Sequence, residues 1–279
     1  MSLQGSHGAS QHTLVGCERS QWDMEHPSDI DSLLSKVKPD AVIHCAAYTA
    51  VDAAEEDADR AMLINAEAPR HLAEGCARFG IHLIHISTDY VFDGSATMPY
   101  LAGASTSPLG VYGQSKLRGE RAVLKAHPKA SVVRVSWLYD REGKNFFNTM
   151  LRLSETRDQL NVVDDQTGCP THAGHLALDL LRWLDAMDRS GNTTAGIHHY
   201  GHSGATTWHG FAQAILRRSA PHVEVLPVPT SAYPTLAKRP AYSKLDERAF
   251  FETIGSPSVT WEEALDACLQ AKFPDSGVH

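Results

Sequence analysis

Hydrophobic and polar positions along the chain fall into two rhythms. Nearly continuous apolar runs occur at 41–47, 81–86 and 131–136. Such runs mark strands buried on both faces of a parallel sheet. Between them, apolar residues recur three or four apart, the spacing of one helix face. Leu33, Leu34 and Val37 define an amphipathic helix over 30–37, stopped by Pro39-Asp40. Leu63, Ile64, Ala68, Leu72 and Cys76 are the inward stripe of a long helix over 61–79, and a further helix runs over 112–126. Strands alternating with helices in this order predict an α/β fold, a doubly wound parallel sheet.

After Trp137 the rhythm changes. A helix over 146–153 inclines Met150 and Leu151 inward, and 160–163 reads as a short strand. Apolar helical spacing returns over 172–187, a strand over 196–200, and a helix from Thr207-Trp208 to about 218. Residues 223–239 are proline-rich and read as irregular. The last helix opens near Thr260, a cap with Glu263 three residues on. Near the start, Leu14-Val15-Gly16-Cys17 reads as a strand, whereas Gly5 and Gly8 have no apolar run before them.

Two short stretches carry the candidate chemistry. Tyr112 and Lys116 stand four apart, which on a helix puts both on one face. An ammonium beside a phenol favours the phenolate and equips the tyrosine for acid–base work. Tyr-x-x-x-Lys is common by chance, and it gains weight from the strand that delivers Ser87 and Thr88 to a sheet edge. Ala46 and Ala47 end another strand with small side chains, at the edge where open α/β sheets bind ligands.

Composition narrows the classes. The chain has 279 residues, 42% hydrophobic, with net charge −8. That is enough for a sizeable core, in one large domain or two joined ones. No basic stripe points to nucleic acid, and no apolar run reaches membrane length. The five cysteines are scattered, without a Cys-x-x-Cys pair, and read as reduced thiols of a cytoplasmic protein. Sixteen histidines invite a metal reading, but none has the spacing of a zinc helix motif, and no metal site is assigned.

Ser87-Thr88-Asp89-Tyr90-Val91-Phe92-Asp93-Gly94, then Pro108-Leu109-Gly110-Val111-Tyr112-Gly113 leading to Lys116, resembles the extended short-chain dehydrogenase/reductase family. Within it the chain is similar to the dTDP-4-dehydrorhamnose reductases, through Ala46-Ala47-Tyr48-Thr49-Ala50-Val51-Asp52, Arg134-Val135-Ser136-Trp137-Leu138-Tyr139, Asn145-Phe146, Asp165-Gln166-Thr167-Gly168-Cys169-Pro170-Thr171 and Arg239-Pro240. The resemblance implies a Rossmann-like sheet with a smaller C-terminal substrate domain. It divides the chain into 1–155 plus 172–202 for the dinucleotide, and 156–171 plus 203–279 for the sugar nucleotide. It implies NADPH- or NADH-dependent reduction of a nucleotide-linked 4-keto-6-deoxyhexose, with Tyr112 giving the proton, Lys116 holding the nicotinamide ribose and lowering the tyrosine pKa, and Thr88 orienting the carbonyl. Asp23, Met24, Ala46, Ala47 and Tyr48 are implied on the cofactor. Asp89, Trp137, Asn145, Gln166, Pro170, Thr171 and Arg239 are implied on the substrate, with Arg239 on the diphosphate and Asn65 supporting the site. Mg2+ and a homodimer are further implications of the family. Aligned to it, Ser2-Leu3-Gln4 falls inside the first helix, so the first strand and phosphate turn would precede Met1; Gly5 and Gly8 as a degenerate phosphate loop is the other reading. Two alternatives remain open: a non-enzymatic regulatory or binding protein of the same fold, and another sugar-nucleotide epimerase or reductase. A 4,6-dehydratase is disfavoured by Tyr90, which stands where a glutamate would follow Asp89. Glu120, two turns beyond Tyr112, reads as solvated.

Overall fold

A computed structural model describes residues 12–191 and 194–273. In chain order they form α1 (Ile30–Val37), β1 (Ala41–His44), α2 (Ala58–Met62), a π-helical turn (Leu63–Glu67), α3 (Ala68–Phe79), β2 (His82–Thr88), α4 (Val111–Ala126), β3 (Ser131–Val135) and β4 (Leu138–Tyr139). There follow α5 (Phe146–Ser154), β5 (Gln159–Val163), β6 (Thr167–Gly168), β7 (Thr171–His172), α6 (Ala173–Ser190), β8 (Gly196–His199), β9 (Thr206–Thr207), α7 (Trp208–Ser219), β10 (Glu224–Val228), α8 (Arg248–Ile254) and α9 (Trp261–Lys272).

The principal sheet has the order β1-β2-β3-β8, every pair parallel. The alternation of side chains along a strand sends residues to two helical layers. Leu83 and Val132 pack against Ile30 and Leu34 of α1, Leu72 and Cys76 of α3 and Val123 of α4. Ile84, Ile86, Val133 and Val135 pack against Leu180 and Trp183 of α6 and Phe250 of α8. Helices on both faces make this the doubly wound sheet that the apolar runs predict. A separate core gathers Phe147, Phe211, Ile215 and Leu265 from α5, α7 and α9 around Leu160 and Val162 of β5.

Two expectations give way to pairing geometry. Residues 14–17 form no strand, and Leu14 and Val15 are 52% and 64% exposed. A strand needs a ladder partner, and among the described residues none pairs with the outer edge of β1. A trough of about 2080 Å³ runs along that edge, with the 12–17 segment in its wall. Conversely, residues 223–239 are not irregular throughout, because β10 pairs with β5 in parallel register. Pro227 is tolerated there since β10 has one neighbour only, and the missing N–H can lie on the unpaired side. The strand expected over 41–47 ends at His44, leaving Cys45 and Ala46 exposed beyond the sheet. The helix expected over 61–79 runs from Ala58 through the π turn to Phe79. Ser2-Leu3-Gln4, Gly5 and Gly8 lie outside the described residues.

Helix α4 is held by contacts that its sequence half conceals. Gly119 passes the π turn where a Cβ would overlap the Asn65 carbonyl, and Gly113 does the same against the Tyr90 carbonyl. The helix N-terminus has no capping side chain of its own; Glu55 accepts the Val111 N–H at 2.9 Å instead. On the sheet-facing stripe, Tyr112 and Lys116 continue to Glu120, which is 1% exposed rather than solvated. Glu120 accepts two bonds from Arg134 of β3, at 2.9 and 2.7 Å, and one from Ser87 of β2 at 2.5 Å. Arg134 also lies over the Phe92 ring at 5.1 Å. The reason is register: Ser87 and Arg134 are adjacent across β2 and β3 and point to the α4 side. Glu120→Gln leaves the buried guanidinium uncompensated and should cost about 3 kcal/mol or more, read by urea unfolding. A loss below about 1 kcal/mol, the value of an exposed pair, would contradict this assignment.

Candidate active site

The carboxyl end of β2 meets the first turns of α4, and there the predicted residues converge. Thr88 is 5% exposed and caps the short helical turn Asp89–Val91 by accepting the Tyr90 N–H at 3.2 Å. Its hydroxyl donates to Asp89 Oδ1 at 3.0 Å, and it stands near enough to the Tyr112 phenol to favour the phenolate. The Tyr90 and Tyr112 rings meet edge-on at 5.4 Å. Lys116 is 3% exposed and donates to the Ile86 carbonyl at 2.7 Å.

The electrostatics differ from the sequence expectation. Burial pushes the Tyr112 phenol up to about 12; Thr88 opposes the shift and Asp89 adds to it. Burial likewise draws Lys116 down to about 8, against the pull of Glu120. Lys116 thus serves the sheet backbone in this state, and desolvation sets the tyrosine. Tyr112 stands loaded with its proton at neutral pH. Asp89 is raised to about 6 by burial, with hydrogen bonds from Thr88 and Ser243 holding it down.

Asn65 braces this corner. Its side chain takes the Tyr48 N–H at 2.8 Å, gives to the Tyr48 carbonyl at 3.0 Å and gives to Ser115 Oγ at 2.9 Å. Ser115 passes its own hydroxyl to the Tyr112 carbonyl at 2.8 Å. The loop after β1 and the turn bearing Tyr112 are therefore tied through one amide, presented by a π turn of the kind found at functional sites. Below them His44 and His85 share a 2.9 Å Nδ1–Nδ1 contact across β1 and β2. Burial and Lys116 keep both neutral.

The implied cofactor residues lie along the trough at the edge of β1: Asp23, Met24, Ala46, Ala47 and Tyr48 all line it. Asp23 is also a turn former, accepting the Glu25 N–H at 3.0 Å and pairing with Arg19. Met24 Sδ lies 3.3 Å from His44 Nε2.

The implied substrate residues divide. Trp137, Gln166 and the 168–171 segment form one cluster. Trp137 stacks on Trp208 at 3.6 Å and 9°, with a left-handed φ of 48° that a bulky residue adopts only under local constraint. Gln166 receives the Trp208 indole N–H at 3.2 Å and gives to Thr230 at 2.9 Å. Pro170 and Thr171 are buried, and Thr171 donates its N–H to the Trp137 carbonyl at 3.1 Å. A Cβ on Gly168 would meet both the Trp137 ring and Ser243 Oγ, so glycine lets these two side chains close in on the cluster. Arg239 is bonded to Asp52 at 2.7 Å, and both carry charge to Tyr90. Asn145 stands apart: its amide caps α5 and closes the 140–148 loop on the carbonyls of Asp140 and Glu142. Sequence reasoning missed Ser243, Ser115 and Trp208; Trp208 had an aromatic signal, and was read only as a helix start.

The family profile described as RmlD substrate binding domain matches residues 1–273. The chain is 39% identical over 268 residues to a dTDP-4-dehydrorhamnose reductase of Burkholderia thailandensis, covering 92% of this chain and 90% of the relative. It is 40% identical over 278 residues to that of Mycobacterium tuberculosis, covering 96% and 89%. The fold superposes with TM-score 0.84 on a dTDP-4-dehydrorhamnose reductase from Clostridium acetobutylicum, at 36% identity over 92% of this chain and 89% of that one. The Bacillus anthracis reductase, solved in complex with NADP, also gives TM-score 0.84 at 34% identity, covering 91% and 89%.

Asp89 offers a test of the site's electrostatics. Its native pKa, about 6, lies above the ordinary 3.8. Between those values the native state binds more protons than the unfolded one, so its contribution to stability falls as pH rises through that window. Between pH 4 and 6.5 the wild type should therefore lose about 2 kcal/mol relative to Asp89→Asn, measured by urea unfolding at both pH values. Parallel curves for the two proteins would contradict the assignment.

Proposed function

Since this chain belongs to the dTDP-4-dehydrorhamnose reductase family, we propose that the α4 stripe of Tyr112 and Lys116, with Thr88 opposite, carries its reduction of dTDP-4-dehydrorhamnose to dTDP-L-rhamnose. The protein is an oxidoreductase of dTDP-rhamnose biosynthesis, and its cofactor is a nicotinamide dinucleotide. The observation that carries the reading of the site is the convergence of a buried, protonated phenol, a hydroxyl beside it and a buried ammonium at one strand end.

The residues along the trough fit a dinucleotide. Ala46 and Ala47 leave the backbone open beyond β1, in the position where parallel sheets take such ligands. Asp23, Met24 and Tyr48 extend the same wall. The Bacillus anthracis reductase with NADP supports NADPH as the first cofactor to test. When bound, the cofactor supplies hydride to the C4 carbonyl carbon.

The chain's own share is proton delivery and placement. Thr88 orients the C4 oxygen, and Tyr112 gives that oxygen its proton. A phenol pushed up to about 12 remains a far stronger acid than the alcohol being formed. The alcohol forms in the same buried site, where desolvation raises its pKa as well, so the transfer still runs from the stronger acid to the weaker. Lys116 then faces a phenolate, and its charge stabilises the anion until a proton returns from solvent. Trp137 on Trp208, with Gln166, supports the sugar-nucleotide side, and Arg239 is offered to the diphosphate by exchange with Asp52.

Tyr112→Phe keeps the ring and removes only the proton. It should lower kcat by about 10²–10⁴-fold while the dissociation constant for NADPH changes less than about threefold. A kcat within tenfold of wild type would remove Tyr112 from the proton path.

A further inference from the structure

Asp140, His172 and Cys268 present ligand atoms that all lie within 4.8 Å of one another. They come from three segments: the residue after β4, the end of β7 and the middle of α9. We infer that these side chains form a binding site for a thiophilic divalent cation, with Zn2+ as the fitting ion, and that the ion fastens α9 to the β4–β7 pair.

Three observations point to a ligand. First, His172 Nε2 and Asp140 Oδ1 are 3.8 Å apart, too long for a hydrogen bond. Ligands held at ~2.0–2.3 Å around one tetrahedral ion stand about 3.5 Å apart, so small side-chain rotations bring these three to bonding distance. Second, a buried polar atom here lacks a partner: the hydroxyl of Tyr139, a residue 2% exposed whose ring lies 5.6 Å from that of His172. Third, the donor set is chemically coherent. A thiolate, an imidazole and a carboxylate together suit Zn2+ or Co2+ and are a poor match for Mg2+ or Ca2+. Three protein ligands leave the fourth position to water, beside the unpaired Tyr139 hydroxyl.

The surroundings permit entry and hold the ligands in place. Cys268 is fully buried, whereas the Asp140 side chain is 23% exposed and opens the site to solvent. His202 Nε2 accepts the His172 N–H at 3.2 Å and fixes that residue's backbone. Two cations stand nearby, and both are engaged elsewhere. Arg141 bonds the Ala271 carbonyl at 3.2 Å, and Lys272 bonds the Arg141 carbonyl at 2.7 Å and Asn148 at 3.0 Å. Because β7 also carries Thr171, which bonds the Trp137 carbonyl, an ion here would brace the turn that presents Trp137.

The test is titration of the chelator-treated full chain with Co2+, followed by the thiolate-to-Co2+ charge-transfer band, then displacement by Zn2+. The expected result is one equivalent bound, the band absent in Cys268→Ser, and affinity weakened by about tenfold or more in His172→Gln and in Asp140→Asn. Asp140 is partly exposed, so its variant keeps the test sound if Cys268→Ser does not fold. Zn2+ should raise the Tm of the wild type more than that of Asp140→Asn at the same concentration. No band would overturn the proposal, and so would a band that persists in Cys268→Ser or keeps its affinity in Asp140→Asn, which would point instead to the exposed thiols Cys17 and Cys45.

Discussion

The buried pair between Glu120 and Arg134 fixes where α4 lies on the sheet. Both groups are nearly without solvent access, so each is tolerable only in the presence of the other. Such a pair adds little net stability compared with apolar packing, but it tolerates few geometries. Its two parallel bonds and the third from Ser87 set the rotation and height of the helix against β2 and β3. Lys116 and Tyr112 then follow at one and two helical turns towards the N-terminus, at the strand end where Thr88 emerges. The glycines of α4 complete the constraint, because the helix approaches Asn65 and Tyr90 more closely than a Cβ allows.

That placement explains the division of labour at the site. Desolvation dominates: it holds the phenol protonated and brings the ammonium towards neutrality, while Glu120 keeps the lysine charge from being lost altogether. The role proposed for Tyr112 needs a donor that keeps its proton until hydride arrives, and burial raises its phenol in that direction. Asn65 links the loop after β1 to the turn bearing Tyr112 through one amide. Gly168 leaves room for Trp137 and Ser243, which crowd the space that a Cβ there would occupy.

Much of this was legible in the sequence because it is local. The Tyr112–Lys116 spacing, the apolar runs of β2 and β3, the bounds of α1 and the Thr260–Glu263 cap each depend on residues close in the chain, and the cap is present as a full capping box. What escaped reading depends on partners distant in sequence. Glu120 resembles any surface glutamate until Arg134 is brought beside it. Residues 14–17 have strand composition and, among the described residues, no neighbouring strand, whereas 224–228 look too rich in proline and have one. Arg239 looked free because Asp52, its partner, lies far upstream. Asn145 carried a motif but spends its amide on its own loop. The positive φ of Trp137 had no sequence signal, since glycine is the residue that advertises such a conformation.

The most direct measurement is the mass and NMR spectrum of the sugar nucleotide formed from dTDP-4-dehydrorhamnose with NADPH carrying deuterium at the transferable position. The account predicts dTDP-L-rhamnose with one deuterium, at C4, and a proton from solvent on the C4 oxygen. Consumption of the substrate without deuterium at C4, or no product from a folded protein saturated with NADPH, would contradict it.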